Sequence, residues 1–94
     1  MKDFEQFKQE QFAKKPGLKR AYDIPDPQHQ LARQIIDARL KKGLSQTQLA
    51  KKIGSGQSSI ARLESGDYNP SLKFLQRVAR ATDVKVKVSF ESEL

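Results

Sequence analysis

The sequence predicts a mainly α-helical domain: a compact bundle of four to five helices, preceded by an N-terminal amphipathic helix and followed by one C-terminal β-strand. Three observations predict it. Between residues 27 and 82 the apolar residues recur with the helical period and are punctuated by Gly43, Gly54 and Gly66. Phe4, Phe7 and Phe12 share one helical arc of the first fifteen residues. After Asp83 the period drops to two, with Val84, Val86, Val88 and Phe90 alternating with Lys85, Lys87 and Ser89. The division is therefore 1–26 for the leader and linker, 27–83 for the bundle and 84–94 for the strand and tail.

In chain order, the first helix is closed by Lys15-Pro16-Gly17. Leu18–Asp23 is mixed in pattern, and Ile24-Pro25 reads as extended chain. Asp26-Pro27 opens the next helix, with Asp as cap and Pro at the first position. It runs to about Lys42, with Leu31, Ile35, Ala38 and Ile36 as its apolar stripe, and Gly43 stops it. Ser45 caps a helix over 46–52, and Ile53-Gly54-Ser55-Gly56 turns into another over 57–65. Asn69-Pro70-Ser71 is a turn and cap for a last helix over 72–82, with Leu72, Leu75, Val78 and Ala79 inward. A lone strand after it leaves its backbone groups unsatisfied. It must pair with a copy of itself, with a partner's sheet, or with an extended stretch such as 19–24.

Ninety-four residues hold one modest core and leave little room for a deep substrate cavity. There is no cysteine, so disulfides and thiolate metal sites are excluded. No apolar run approaches a membrane span, and MKDFEQFKQE lacks the apolar segment of a secretory signal, so a cytoplasmic protein is expected. The net charge of +7 is uneven. Residues 29–82 hold ten Lys/Arg against three Asp/Glu, whereas 1–28 hold six against five and 83–94 two against three. A polyanion is the natural partner for the middle segment.

The segment Gln46–Ser65, QTQLAKKIGSGQSSIARLES, reads as two short helices joined by a tight turn. Ala50 is small where the helices cross, Gly54 suits a left-handed turn, and Leu49, Ile53, Ile60 and Leu63 fill the space between. Gln, Ser and Arg remain on the outer face. That is the pattern of a helix-turn-helix whose second helix enters the major groove of DNA. An ordinary helical hairpin explains Ala50 and Gly54 but not the polar outer face.

GLSQTQLAKKIG, QSSIARLESG and NPSLKFLQRVA together resemble the Cro and phage-repressor (XRE) family over about residues 31–82. The resemblance implies a lambda-repressor-like bundle that acts as a homodimer on a palindromic operator in double-stranded DNA. It implies that Gln46 holds a phosphate at the start of its helix. Gln57 and Ser58 would reach base edges, and Arg62 would pair with guanine. Ser55 and Ser59 would touch phosphate or a base edge, and Asn69 and Lys73 would anchor the backbone. Taken only as residues, Gln57 and Ser58 are also ordinary helix-start polars, Ser59 a cap and Lys73 a solvated charge. Gly56 departs from the side-chain-bearing residue usual in the family. Arg39 and Glu64 match a pair that forms a structural salt bridge in the family.

The phenylalanine-bearing leader, LKRAYD and VKVKVSF extend the resemblance to HigA-type antitoxins. That resemblance implies a RelE-like (HigB-type) ribonuclease toxin as partner and autoregulation of the operon. Phe4, Phe7 and Phe12 sit on a helix too short to be stable alone. They cover either this chain's own bundle or a partner's groove, and Tyr22 is either a partner anchor or a core lid. A stand-alone XRE-type regulator, or an interaction module using the helix-turn-helix as scaffold, is the alternative. No enzyme is expected: there is no catalytic set, no metal site and no cofactor motif, and the single histidine, His29, reads as solvated.

Overall fold

Four of the six described helices start at a side chain that accepts a free backbone N–H, as helix ends require. The computed structural model describes residues 3–93 and contains six helices. Helix α1 (Phe4–Lys14) is capped by Asp3, which accepts from the Gln6 N–H at 2.8 Å while the Gln6 side chain returns the bond. Helix α2 (Pro16–Tyr22) has Pro16 at its first position. Asp26 caps α3 (Pro27–Lys41), Ser45 caps α4 (Gln46–Lys52) in a reciprocal box with Gln48, and Ser71 caps α6 (Leu72–Ala81). Only Gly56, before α5 (Gln57–Glu64), supplies neither a proline nor a capping side chain to the helix it precedes or opens.

Helix α2 corrects the sequence reading, which took Lys15-Pro16-Gly17 as an end alone. Proline ends α1 because it has no N–H to donate, and it starts α2 for the same reason. The two helices are separated by Lys15 alone.

The core lies on both sides of α3. On one side Ile35 packs with Leu49, Ala50, Ile60, Leu63, Val78 and Ala81. On the other, Ile36 and Leu40 pack with Phe12 and Leu18, flanked by Phe4, Phe7 and Tyr22. Burying a side chain such as Ile36, which is 0% exposed, contributes about 1.5–3 kcal/mol. Two residues expected inward are not: Leu31 and Leu72 are exposed, and Ala32 takes the buried place on α3. The helical stripe is wider than the surface available to cover it.

His29 is also corrected. It is buried rather than solvated, with Nδ1 2.8 Å from Asp26 Oδ1 and its backbone N–H on the same carboxylate. Its ring lies against Gly66, where an added Cβ would come within 2.3 Å of His29 Cδ2. Gly66 has φ +82°, so that position excludes side chains on conformation as well as on space.

The expected C-terminal strand is not formed. Among the described residues there is no strand, and 84–93 carry no regular structure. The reason is the one the pattern itself raised: the single chain offers no partner ladder. Asp83 at φ 60° turns the chain, the Val84 N–H bonds the Ala79 carbonyl at 2.9 Å, and Asp83 pairs with Lys42. Val84 and Val86 then line a shallow groove between α3 and α6, with Phe90 wholly exposed beyond it.

Candidate nucleic-acid interface

The turn between α4 and α5 is built from one permissive residue and one close crossing. Gly54 takes φ +69°, and the Ser55 N–H returns to the Ala50 carbonyl at 2.8 Å. Ala50 is 2% exposed at the crossing, so a larger side chain there would separate the helices. Ile60 and Leu63 face inward, which leaves Gln57, Ser58 and Arg62 on the exposed side of α5.

A buried polar network fixes the orientation of α5. Arg39 and Glu64 are fully buried and form a two-pronged pair: Arg39 Nε donates to Glu64 Oε2 at 2.7 Å and Nη2 to Oε1 at 2.9 Å. Arg39 Nη1 donates to the Leu44 carbonyl at 2.9 Å, just before α4. Gln46 Nε2 donates to Glu64 Oε1 at 3.0 Å, and Gln46 Oε1 accepts from Gln57 Nε2 at 2.7 Å. The same oxygen accepts from Lys15 Nζ at 2.6 Å. Helices α3, α4 and α5 and the α1–α2 junction are thus tied through directional bonds. No buried side-chain N or O among the described residues lacks a partner.

The Gln46 side chain is 4% exposed and both ends of its amide are engaged, so it orders the first residue of α5. Arg39 and Glu64 stand as the pair that the resemblance implied.

Arg62 is held over the Tyr68 ring, its guanidinium carbon 4.9 Å from the centroid. That stacking restrains a long side chain while leaving its donors outward. Ser55 and Ser59 are half-buried beside the turn, and Ser55 Oγ lies 3.3 Å from the Gly56 carbonyl. Asn69 and Lys73 are exposed, one in the turn before α6 and one in its first turn. At the far end of α4, Arg77 donates to the Ile53 carbonyl, occupying an acceptor that the helix leaves open. Lys15, Tyr68 and Arg77 were missed from sequence. Lys15 lies thirty-one residues from Gln46, and no local pattern marks such a contact.

The leader aromatics lie on the chain's own helix α3. Phe12 is buried, and its ring centroid is 5.1 Å from that of Tyr22 at a 59° tilt. Tyr22 donates its hydroxyl to Asp37 Oδ1 at 2.8 Å. Burial, and then the Asp37 carboxylate, push the phenol above its usual range. Phe4 and Phe7 are half-buried, with the ammonium groups of Lys8 and Lys41 5.0 and 5.5 Å from the Phe4 ring centroid. Of the two occupants considered for these rings, the in-chain one is present.

Among the described residues no cluster of three or more His, Cys, Asp or Glu is placed to hold a metal ion. No described helix is long and apolar enough to cross a membrane.

Compared with known proteins, the sequence matches the helix-turn-helix family over residues 35–88. It is 39% identical over 56 residues to an uncharacterized HTH-type transcriptional regulator of Archaeoglobus fulgidus, covering 60% of this chain and 80% of that protein. It is 35% identical over 60 residues to the ImmF control region 10 kDa protein of Bacillus phage phi105, covering 64% and 67%. It is 30% identical over 82 residues to antitoxin HigA1 of Mycobacterium tuberculosis, covering 87% of this chain and 55% of that protein. No solved structure matches the chain.

Proposed function

We propose, the chain belonging to the helix-turn-helix family of transcriptional regulators, that it is a sequence-specific repressor that binds a palindromic operator as a homodimer. We assign it further as the antitoxin of a type II pair, neutralising a RelE-like (HigB-type) ribonuclease and repressing its own operon. The observation that carries the DNA reading is the Arg39–Glu64–Gln46–Gln57 chain of bonds. It holds an eight-residue helix at one angle, with Gln57, Ser58 and Arg62 outward. Base recognition needs that rigidity, because bidentate contacts fail with small misplacements. In this reading Ser55 and Ser59 touch phosphate or a base edge, and Asn69 and Lys73 anchor the DNA backbone.

The antitoxin reading is supported by the extent of the HigA1 likeness. An aligned stretch of 82 among 94 residues must include 13–82, so it reaches back through α2 and beyond the helix-turn-helix. A specific observation favours a second reading, a stand-alone regulator. Phe4, Phe7, Phe12 and Tyr22 already pack on α3, and a toxin would have to bind over them or displace them.

Two measurements test these readings. Anisotropy with the upstream promoter duplex and a random duplex, across salt concentrations, should give affinities that fall steeply with salt on both. Arg62→Ala should cost about 1–3 kcal/mol on the promoter and much less on random DNA. Equal losses on the two would remove Arg62 from base reading. Co-expression with the adjacent reading frame decides the antitoxin assignment: rescue of a growth arrest supports it, and no toxicity with no complex leaves the stand-alone regulator.

A further inference from the structure

We infer that two copies of the chain join by antiparallel pairing of residues 85–93, with Ser89 facing Ser89 across the two-fold axis. The inference rests on the homodimer proposed above and supplies its interface and register. The starting point is the tail left without a ladder. Its beginning is fixed by the turn at Asp83 and the bond from Val84 to Ala79, so it leaves the bundle at a defined place. Val84, Lys85, Val86 and Lys87 lie along the groove formed with Leu31 and Leu75. Val88 is 67% exposed and Phe90 100% exposed, on the same alternate positions further along. The tail therefore lines its own groove with its first four residues and leaves Val88 and Phe90 exposed beyond it.

The occupant follows from charge. The odd positions read Lys85, Lys87, Ser89, Glu91, Glu93: basic before the serine and acidic after it. None of these four charged residues forms an ion pair among the described residues. Such a segment is complementary to its own reverse. Antiparallel pairing about Ser89 sets Lys85 against Glu93 and Lys87 against Glu91, twice each by symmetry. On the opposite face Val88 meets Phe90, again twice. Parallel pairing in register would set Lys against Lys. Centring on Lys87 would set that lysine against itself. Centring on Val88 or Phe90 keeps only one of the two kinds of ion pair. A register centred between two residues sets odd positions against even ones, Lys87 against Phe90 or Val88 against Glu91, and mixes the faces. Only the Ser89 register satisfies both faces, and it carries each exposed Phe90 toward the other copy's Val88 and the groove beyond.

The test uses the full chain in sedimentation equilibrium, with circular dichroism to check folding. The unchanged chain should be dimeric. Lys85→Glu with Lys87→Glu should weaken the dimer at least about tenfold by facing acid with acid, and Glu91→Lys with Glu93→Lys should do the same. An equimolar mixture of the two double variants should recover a heterodimer. The chain has no cysteine, so single introduced thiols report register. Ser89→Cys should oxidise to a covalent dimer. Lys87→Cys should not, because in this register two copies of position 87 are separated by four residues of strand, beyond disulfide reach. A monomeric chain, a dimer indifferent to both charge reversals, or crosslinking at 87 but not 89 overturns the inference. A tail that pairs only with a partner protein appears as the first of these. Binding to half an operator, scored on the same proteins, separates this from the DNA reading. A monomer that still binds the half-site refutes the pairing alone. A dimer that binds no operator refutes the repressor alone.

Discussion

The two sides of α3 are built on opposite principles, although neighbouring residues begin them. Ile35 faces the helix-turn-helix, and Ile36 faces the leader. On the Ile35 side the contacts that set position are directional: a fully buried ion pair, a glutamine with both amide ends engaged, and an arginine stacked on a ring. On the Ile36 side they are mainly apolar, aromatic rings over two aliphatic residues with ammonium groups at the edge. Directional bonds specify an angle, whereas apolar contact rewards area almost regardless of orientation. The surface that must present polar groups accurately carries the first kind, and the layer that only has to cover α3 carries the second.

Substitutions can break that contrast, and the largest effect belongs to the network. Glu64→Ala strands the Arg39 guanidinium without a partner, and a loss of about 3–5 kcal/mol is expected in urea unfolding. A loss below 1 kcal/mol would mean that the pair does not hold the bundle. Phe12→Ala should follow at about 3 kcal/mol, whereas Phe12→Leu should cost less than about 1.5 because area matters more than shape there. If Leu is as harmful as Ala, the leader layer is more specific than argued. Lys15→Met joins the comparison at its one point of crossing. It should change stability by no more than about 1 kcal/mol, since the lysine is exposed, yet increase motion of the Gln57 side chain. Unchanged side-chain amide relaxation at Gln57 would make the contact incidental. A separate effect is the alkaline profile. Tyr22 titrates above its unfolded value, so its contribution is fully present below about pH 10 and is lost as pH rises through the folded value. Tyr22→Phe should flatten the profile above pH 10 and cost about 0.5–1.5 kcal/mol at neutral pH. A profile unchanged by the substitution would assign the alkaline loss elsewhere.

How much was readable followed the range of the interaction. Helices α3, α4 and α6 were legible because Asp26, Ser45 and Ser71 act on backbone within three residues of themselves, and α5 because Gly54 and Gly56 mark the turn before it. The outward set Gln57, Ser58 and Arg62 was legible because helical period alone separates it from Ile60 and Leu63. Helix α2 was missed because Pro16 has two local meanings, and only the spacing of Leu18 and Ala21 pointed to the second. The burial of His29 depends on the missing side chain of Gly66, thirty-seven positions away, and Gln46 is engaged by Glu64, Gln57 and Lys15, none of them near it in sequence. The strand was read from a real alternation, but alternation names a face and not a partner.

Because α3 serves as the wall between two cores, its length is more constrained than its composition. Inserting or deleting one residue between Ala32 and Ile35 turns everything after it by about 100°. Arg39 would leave Glu64, and Ile36 and Leu40 would swing away from the aromatic layer together. The loops 42–45 and 65–71 wall off no second core, and their fixed points are Gly43 and Gly66, the Leu44 carbonyl under Arg39, the caps Ser45 and Ser71, and Tyr68 under Arg62. Relatives of this chain should therefore vary in length at those loops and at the two ends, and keep a constant count of residues through the third helix.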